Sequence, residues 1–560
     1  MNAETLSRAR LWRTEPVFGA ETQAAAAEIA ESPEALTACF GQELSFGTGG
    51  LRGVLGVGTN RMNRYTVAKA TQGLAAYLQA NTGRSVAIAY DTRNGSREFA
   101  GIAAGVLAVS GISSWLFDAP TPTPMLSFAV RALGCDAGIV ITASHNPAQY
   151  NGFKVYGPDG CQIVDAAAAA ITAHIERVDY KALKWTSEGE ARERGLMRDV
   201  PASVKGEYLE KTLACSVREM LAPPRLRVMY TPLHGVGLEM VRGVFVRMPG
   251  IELMAVEEQS RQDGNFPTCP APNPETEAAL ELAIARARKE NADLIIATDP
   301  DCDRVGVAVR HSGGYKVLSG NEVGLLLMEY ILSSRKPSAR APVVVKTIVT
   351  SDLAYEIARA YGAEVVEVLT GFKYIGGAIG ALEASGEADR FAFGFEESCG
   401  YLAGTHVRDK DGVMASMLVA EMAQQHAAAG LDLAQALSRL YDTYGHVGAR
   451  LMSFRIPGAL PMAEMDAMMA RLRENPPSSL AGQSVTGVKD YSAGIDGLPR
   501  SNVLSFMSDG GAKVILRPSG TEPKLKAYLS AKGESGLETE GVLERLAAQT
   551  REWIGQPADA

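Results

Sequence analysis

The sequence predicts an α/β protein built of several layered units, and three observations predict it. Short apolar, β-branched runs recur along the chain, helical stretches lie between many of them, and polar, Gly-rich segments follow several of the runs. The runs are Val86 to Tyr90, Gly138 to Thr142, Leu226 to Tyr230, Leu294 to Thr298, Val343 to Val345, Val365 to Leu369, Phe391 to Phe395 and Lys513 to Leu516. Apolar runs of this kind suit strands buried on both faces. Open parallel sheets bind ligands beyond their strand ends, which is where the chemically loaded segments fall.

The helical stretches have their own signals. Residues 1 to 40 are rich in Ala and Glu, and Ala166 to Ala170 is an uninterrupted alanine run, so both read as helix. Asn273 can cap a helix opening with Pro274 and Glu275, whose apolar positions recur through Leu280, Leu282 and Ile284 towards a basic end. Polar stretches near 184 to 200, from Ser333 onward and over Glu474 to Pro477 are the expected joints between units. No short-period repeat is visible.

The chain has 560 residues, 46% apolar and 21% charged. That is ordinary globular composition, and the length suits roughly three to four domains. Lys and Arg number 55 against 64 Asp and Glu, a net charge of −9, so no broad positive field gathers nucleic acid or anionic lipid. Neither is expected as a partner, and any phosphate must be held by local basic residues. The start has no charged segment leading into an apolar core, and no run of eighteen apolar residues occurs, so a cytoplasmic location is expected. Seven scattered cysteines without C-x-x-C spacing argue for reduced thiols, not a disulfide framework or zinc site.

Four loops carry the chemistry. The run ending at Thr142 leads into Ala143-Ser144-His145-Asn146-Pro147 and then Tyr150-Asn151-Gly152-Phe153-Lys154. This presents the Ser144 hydroxyl on a turn, with His145 or Lys154 placed to move its proton. A Ser-Asn-Pro turn held by its own side-chain hydrogen bonds is the other reading of that segment alone. The run ending at Thr298 leads into Asp299-Pro300-Asp301-Cys302-Asp303-Arg304. Three carboxylates at alternate positions can converge on one cation. Two like charges about 4 Å apart repel by about 4 kcal/mol at an intermediate dielectric, so the cluster calls for a cation or a proton. Oxygen-only ligands favour Mg²⁺ over zinc. A solvated acidic turn beside Arg304 is the alternative.

The third loop, Glu396-Glu397-Ser398-Cys399-Gly400, offers paired carboxylates to vicinal sugar hydroxyls, unless they are plain surface glutamates. In the fourth, Arg517-Pro518-Ser519-Gly520-Thr521 combines a bidentate fork, hydroxyls and free amides suited to phosphate. Further cations stand in Gly47-Thr48-Gly49-Gly50-Leu51-Arg52-Gly53, at Lys373 and at Lys410. The first of these segments lacks G-x-G-x-x-G spacing, so it is not read as a dinucleotide site.

Together and in this order, the motifs from about Gly47 to Lys526 resemble the α-D-phosphohexomutase superfamily of phosphoglucomutases and phosphomannomutases. The opening GTGGLRG and the length resemble the branch holding phosphoglucomutase-2-like and phosphopentomutase enzymes. The resemblance implies four domains around a central cleft: three related mixed-sheet α/β domains and a C-terminal α+β domain like the TATA-box-binding protein. The expected spans are 1–200 with the serine loop, 201–312 with the metal loop, 313–445 with the sugar loop and 446–560 with the phosphate loop. By the same resemblance Ser144 becomes a phosphoserine, and Asp299, Asp301 and Asp303 bind Mg²⁺ together with it. Arg52, Lys154 and Arg304 surround the transferring group, and Lys154 or His145 handles protons. Glu396 and Ser398 read the sugar, Arg517, Ser519, Gly520 and Thr521 hold the distal phosphate, and Lys373 and Lys410 match substrate-binding segments.

The activity implied is interconversion of α-D-glucose 1-phosphate and glucose 6-phosphate through a bisphosphate intermediate, with glucose 1,6-bisphosphate as activator, in a monomer or homodimer. Pentose or mannose phosphate is the alternative substrate. Two other readings compete. Asp301-Cys302-Asp303-Arg304-Val305 also fits the D-x-D-x-V pattern of haloacid-dehalogenase-type phosphatases, and a sugar-phosphate sensor without turnover would use the same binding loops.

Overall fold

The computed structural model describes residues 3–47, 49–217, 224–336, 339–456, 461–519 and 524–555. Four sheets follow one another along the chain. In spatial order the first consists of strands Leu51–Val54, Tyr150–Tyr156, Ala137–Ile141, Ser85–Tyr90, Ser113–Leu116 and Met197–Asp199. The second runs Gly314–Leu318, Val305–His311, Leu294–Thr298, Leu226–Thr231, Ile251–Ala255. The third runs Glu364–Val368, Val343–Thr347, Phe391–Glu396, Gly400–Leu402. The fourth is antiparallel, from His446–Arg455 through Lys524–Gly533, Lys513–Pro518, Leu504–Ser508 and Gln483–Asp490 to the short Ser479–Leu480.

The first three sheets share one device. A buried strand that pairs in parallel on one side, Ala137–Ile141, Leu294–Thr298 or Phe391–Glu396, ends in a loop and returns as an antiparallel neighbour. Each loop contains one non-glycine residue in the left-handed region: Ser144 at φ 50°, Cys302 at φ 56° and Cys399 at φ 60°. Such a backbone is held only where its surroundings over-determine it. The repetition makes the three units structural relatives, although no period shows in the sequence.

The helices cover these sheets, and one apolar core runs through all three units, joining Ala87 and Phe128 to Val228 and Ile296 and on to Val344 and Phe393. The N-terminal helices Ala3–Thr14, Gly19–Ile29 and Pro33–Phe40 form a side cluster around Trp12, which stacks on Phe18 at 4.4 Å. The fourth unit has its own core, around Phe454, Phe506 and Leu546, under the helices Pro461–Glu474 and Gly536–Ile554. Among the described residues no helix is long and apolar enough to cross a membrane.

Two local expectations change. The helix Glu277–Glu290 is capped by Thr276, whose hydroxyl accepts from Ala279 N, whereas Asn273 accepts from Glu275 N in the turn before it. Pro274 is seated against Gly306, where a Cβ would lie 2.1 Å from the proline carbonyl oxygen, so that stretch is packed as a turn before the helix can begin. The supposed joints also lie inside units. Residues 184–200 supply the helix Glu188–Glu193 and the edge strand Met197–Asp199, because Ser113–Leu116 would otherwise leave an open edge. Glu474 to Pro477 merely ends a helix within the fourth unit, as prolines do by removing amide donors. The Ser333 stretch ends the helix Gly320–Ser334, which packs on Phe391–Glu396 of the third sheet, where a Cβ on Gly324 would lie 2.2 Å from the Phe395 ring.

Candidate active site

The Ser144 turn, the Asp299 to Asp303 loop and Lys410 converge where the first three units meet. Ser144 is 3% exposed and its N–H donates to Thr142 Oγ1 at 2.8 Å, which closes the turn. Its hydroxyl donates to Asp299 Oδ2 at 2.5 Å and lies 3.3 Å from His145 Nδ1. The other oxygen of Asp299 accepts the amides of Asp303 and Arg304, both at 3.0 Å, so the carboxylate is locked by its own loop.

The three aspartates are buried, and ligand oxygens from all three lie within 4.8 Å of one another. Asp301 Oδ1 and Asp303 Oδ1 have no hydrogen-bond partner among the described residues. Buried carboxylate oxygens left this way are costly without a partner. A divalent cation fits this all-oxygen set, and the three aspartates are the group that could hold one. Burial together with Asp301 and Asp303 pushes Asp299 well above the usual carboxylate range. Against the same burial, Lys154 and Lys410 hold Asp301 below that range.

The surrounding cations come from different units. Lys154 Nζ is 3.0 Å from Asp301 Oδ2 and 3.8 Å from Asp303 Oδ2, and Lys410 Nζ is 3.2 Å from Asp303 Oδ2. Lys410 also meets Asp409 at 3.0 Å, and Asp409 accepts from the Tyr156 hydroxyl at 2.6 Å. A Cβ on Gly400 would come within 2.3 Å of the Lys410 side chain, so glycine lets that chain pass. Arg304 is paired with Glu275, with Asp303 Oδ1 3.9 Å from its Nε. Arg52 donates to Asn146 Oδ1 at 3.1 Å beside the serine turn. Burial, then Arg304 and Arg52, pushes His145 well below the ordinary imidazole range, so its ring is neutral at physiological pH.

A second part of the cleft is a cavity of about 300 Å³ between the first, third and fourth units. Lys373, Arg517, Arg500 and Gly371 help to line it. Lys373 Nζ pairs with Asp165 at 2.8 Å across the first and third units. Ser144, Asp299, Asp301 and Asp303 are not among the described residues that line the cavity. Glu396 connects the two parts: its Oε1 accepts from Gly371 N at 2.8 Å, and its charge is felt by Lys410 and Arg304. Burial raises Glu396, and burial with Glu396 beside it pushes Glu397 up to about 7. Ser398 is half-buried in the same turn. The Ser519 amide donates to Lys524 O at 2.8 Å; Thr48, Gly520 and Thr521 lie outside the described residues.

Three groups at the site escaped sequence reasoning. Thr123 donates to Asp301 Oδ2 at 3.0 Å, and nothing local in the sequence marks it. Asp91 and Arg93 form a buried pair at 3.3 Å behind the serine turn. They follow directly on the strand Ser85–Tyr90, the same strand-end signal that exposed the other loops.

Three α/β units and a fourth antiparallel one, with a turn-borne serine against a buried carboxylate triad, define a phosphoryl-transfer enzyme with a divalent metal site. Comparison with known proteins makes the class specific. Residues 43–182, 206–314 and 319–444 match the phosphoglucomutase/phosphomannomutase alpha/beta/alpha domains I, II and III in turn. The phosphoglucomutase of Staphylococcus aureus strain USA300 is 37% identical over 509 residues, 88% of this chain and 90% of that protein. Among solved structures, a putative phosphomannomutase from Thermus thermophilus superposes with a TM-score of 0.68 at 24% identity, covering 91% of this chain and 99% of its own. The N-acetylphosphoglucosamine mutase of Aspergillus fumigatus, in complex with GlcNAc-6P and magnesium, gives 0.50 at 15% identity over 95% and 99%. The chain belongs to the phosphoglucomutase/phosphomannomutase family of the α-D-phosphohexomutase superfamily. It is an isomerase that relocates a phosphoryl group on a sugar phosphate, and the phosphatase and sensor readings give way to that.

Proposed function

We propose that the enzyme interconverts α-D-glucose 1-phosphate and glucose 6-phosphate, with Ser144 as the phosphoryl carrier, Mg²⁺ on Asp299, Asp301 and Asp303, and glucose 1,6-bisphosphate as primer. The observation that carries this reading is the Ser144 hydroxyl on a left-handed turn, 2.5 Å from Asp299 of the buried triad. The glucose assignment draws support from the Staphylococcus relative, named a phosphoglucomutase, and from the Glu396-Glu397-Ser398 turn. Magnesium draws support from the oxygen-only donors and from the Aspergillus mutase, whose complex contains it.

In the first half-reaction the bond from phosphorus to Ser144 Oγ breaks as a bond to the free sugar hydroxyl forms. That hydroxyl loses its proton to a base at the turn, for which neutral His145 and Lys154 are the candidates. The resulting bisphosphate turns over in the cleft. The phosphate it arrived with then returns to Ser144, and the sugar oxygen it leaves takes back the proton. Lys410, Arg304 and Arg52 spread positive charge around the transferring group in both halves, and Lys154 adds to it whenever it holds its proton. A divalent ion on the triad, when bound, supplies further charge stabilisation for the phosphoryl oxygens. Lys373 and Arg517 hold the idle phosphate, while Glu396 and Ser398 select the sugar. The enzyme works in the cytoplasm as a monomer or homodimer, on a small-molecule substrate and without nucleic acid or membrane.

The test is phosphorus NMR of glucose 1-phosphate with Mg²⁺ and a trace of glucose 1,6-bisphosphate, comparing the enzyme with Ser144→Ala. A glucose 6-phosphate signal that the variant fails to produce is expected. Equal conversion by the variant refutes Ser144 as carrier, and faster conversion of mannose or ribose phosphate refutes the glucose assignment.

A further inference from the structure

We infer that Arg93 is a positioning residue for phosphoryl transfer: its guanidinium is the template on which the Ser144 turn is wound, and it ties that turn to the unit carrying the aspartates. The inference rests on Ser144 as the phosphoryl carrier.

Arg93 is 3% exposed, and its donors are spent on one loop. Nη2 donates to Ser144 O at 2.5 Å and to Asn146 O, and Nη1 donates to Pro147 O at 2.9 Å and Tyr150 O at 3.1 Å. Nε faces Asp91 Oδ2 at 3.3 Å. A guanidinium offers five N–H donors in a fixed plane; the four on Nη1 and Nη2 meet four loop carbonyls, while Nε is held beside Asp91 by charge and not by a hydrogen bond. Lysine, a point charge with three donors on a flexible stem, cannot reproduce this plane.

The arginine is itself fixed. Asp91 Oδ1 accepts from Arg93 N at 2.9 Å and from Ser96 Oγ at 2.6 Å, which sets the backbone of the template. Asn151, on the strand returning from the serine turn, donates to Ser96 Oγ and Asn94 O, both at 3.0 Å. The guanidinium lies 4.8 Å from the centre of the Phe266 ring, and Phe266 belongs to the second unit. Gly264 beside it packs so tightly that a Cβ would lie 2.5 Å from Asn94 N and 2.8 Å from Thr92 O. The segment around Phe266 is therefore keyed to the Arg93 turn.

The consequence is geometric. Ser144 sits in a backbone region that serine seldom adopts, and its hydroxyl must meet a carboxylate from another unit at 2.5 Å. Four carbonyls gathered on one cation supply the over-determination this needs. The same cation bears on Phe266, so the register between Ser144 and Asp299 is set at Arg93.

The test is kinetics of full-length Arg93→Lys and Phe266→Leu beside Ser144→Ala, with rates normalised to folded protein by gel filtration and calorimetry. A misplacement of about 1 Å can cost ~100-fold in rate, so Arg93→Lys is expected to lose about 100-fold in kcat with KM within about threefold. Phe266→Leu, which removes a cation–π contact, is expected to lose about three- to tenfold in kcat at constant KM. A merely structural role would lower the melting temperature and leave kcat per folded molecule unchanged, and that result in folded Arg93→Lys overturns the inference. Should Arg93→Lys not fold, Phe266→Leu decides, and an unchanged kcat there overturns it. An active Ser144→Ala would instead overturn the reading of the site, whereas an inactive Ser144→Ala beside a fully active Arg93→Lys refutes the positioning role alone.

Discussion

The two halves of the cleft are held in different ways. Around Ser144 and the aspartates, three units share one continuous apolar core, and Lys154, Lys410 and the serine hydroxyl bridge them at 2.5 to 3.2 Å. The fourth unit carries Arg517 on a separate core. It meets the third unit through a small cluster of Ile348, Leu369, Tyr491, Val503, Ile515 and Tyr528, and through Lys513, which lies 3.1 Å from Asp352. The difference teaches that the Ser144 end is built into one shared core, whereas the Arg517 end is mounted on a separable body. Inter-domain contacts of modest size favour relative motion.

Breaking the assembled half should have the largest effect. Asp301→Asn removes a triad carboxylate and the partner of Lys154, and loss of several kcal/mol of transition-state stabilisation predicts a fall of about 1000-fold or more in kcat. Chelation with EDTA should abolish activity of the unmodified enzyme and excess Mg²⁺ should restore it, but not in Asp301→Asn. Full turnover in EDTA would remove the metal from the mechanism.

The other half should respond in affinity. Arg517→Ala deletes a charged hydrogen-bond donor from the cavity wall, a loss of roughly 1.5 to 3 kcal/mol, so KM should rise about 10- to 100-fold while kcat stays within about threefold. An equal fall in kcat would mean that the two halves are not separable. At the seam between the units, Lys346 and then Lys513 pull Asp352 down to about 2 against its burial. Lys513→Met leaves Asp352 paired with Lys346 at 3.0 Å, so only the cross-unit contact is lost. Calorimetry should then show an earlier, separate transition for the fourth unit, with KM raised about threefold, since a severed buried pair costs a few kcal/mol at most when one partner remains. One unchanged transition would show that the apolar cluster alone holds the seam.

How much of this could be read from the chain depends on whether the determinant is local. The strand Leu294–Thr298 is found at its full length because every residue is buried and the run is apolar up to its final threonine, and the loaded loop after it is marked by composition alone. The turn residues of Ser144 and the triad were legible for the same reason. The polar 184–200 stretch was not, since its character reports an interruption but not that the chain returns to the first sheet as an edge strand. Asn273 and Thr276 offer the same capping chemistry, and only the packing of Pro274 on Gly306 chooses between them. Arg93 looks in sequence like any arginine after a strand. Its role depends on backbone carbonyls folding over it from more than fifty residues away, and carbonyls leave no signature in a sequence.

The smallest expected effect concerns the turn joining the two halves. Burial and the adjacent Glu396 push Glu397 up to about 7, above the ordinary 4.5 of an unfolded glutamate. Between these values the folded chain retains a proton that the unfolded chain has lost, so stability falls as pH rises from about 4.5 to 7 and levels off above. Glu397→Gln removes the titration. Its melting temperature should match that of the unmodified enzyme near pH 4.5 and exceed it by about 2 to 4 °C at pH 8, the side chain being only partly buried, which moderates the gap. A gap that is constant across this range would mean that Glu397 is ionised throughout, compensated by Lys526 from the fourth unit. In that case the seam would extend up to the Glu396–Ser398 turn, and the fourth unit would be less separable than its core suggests.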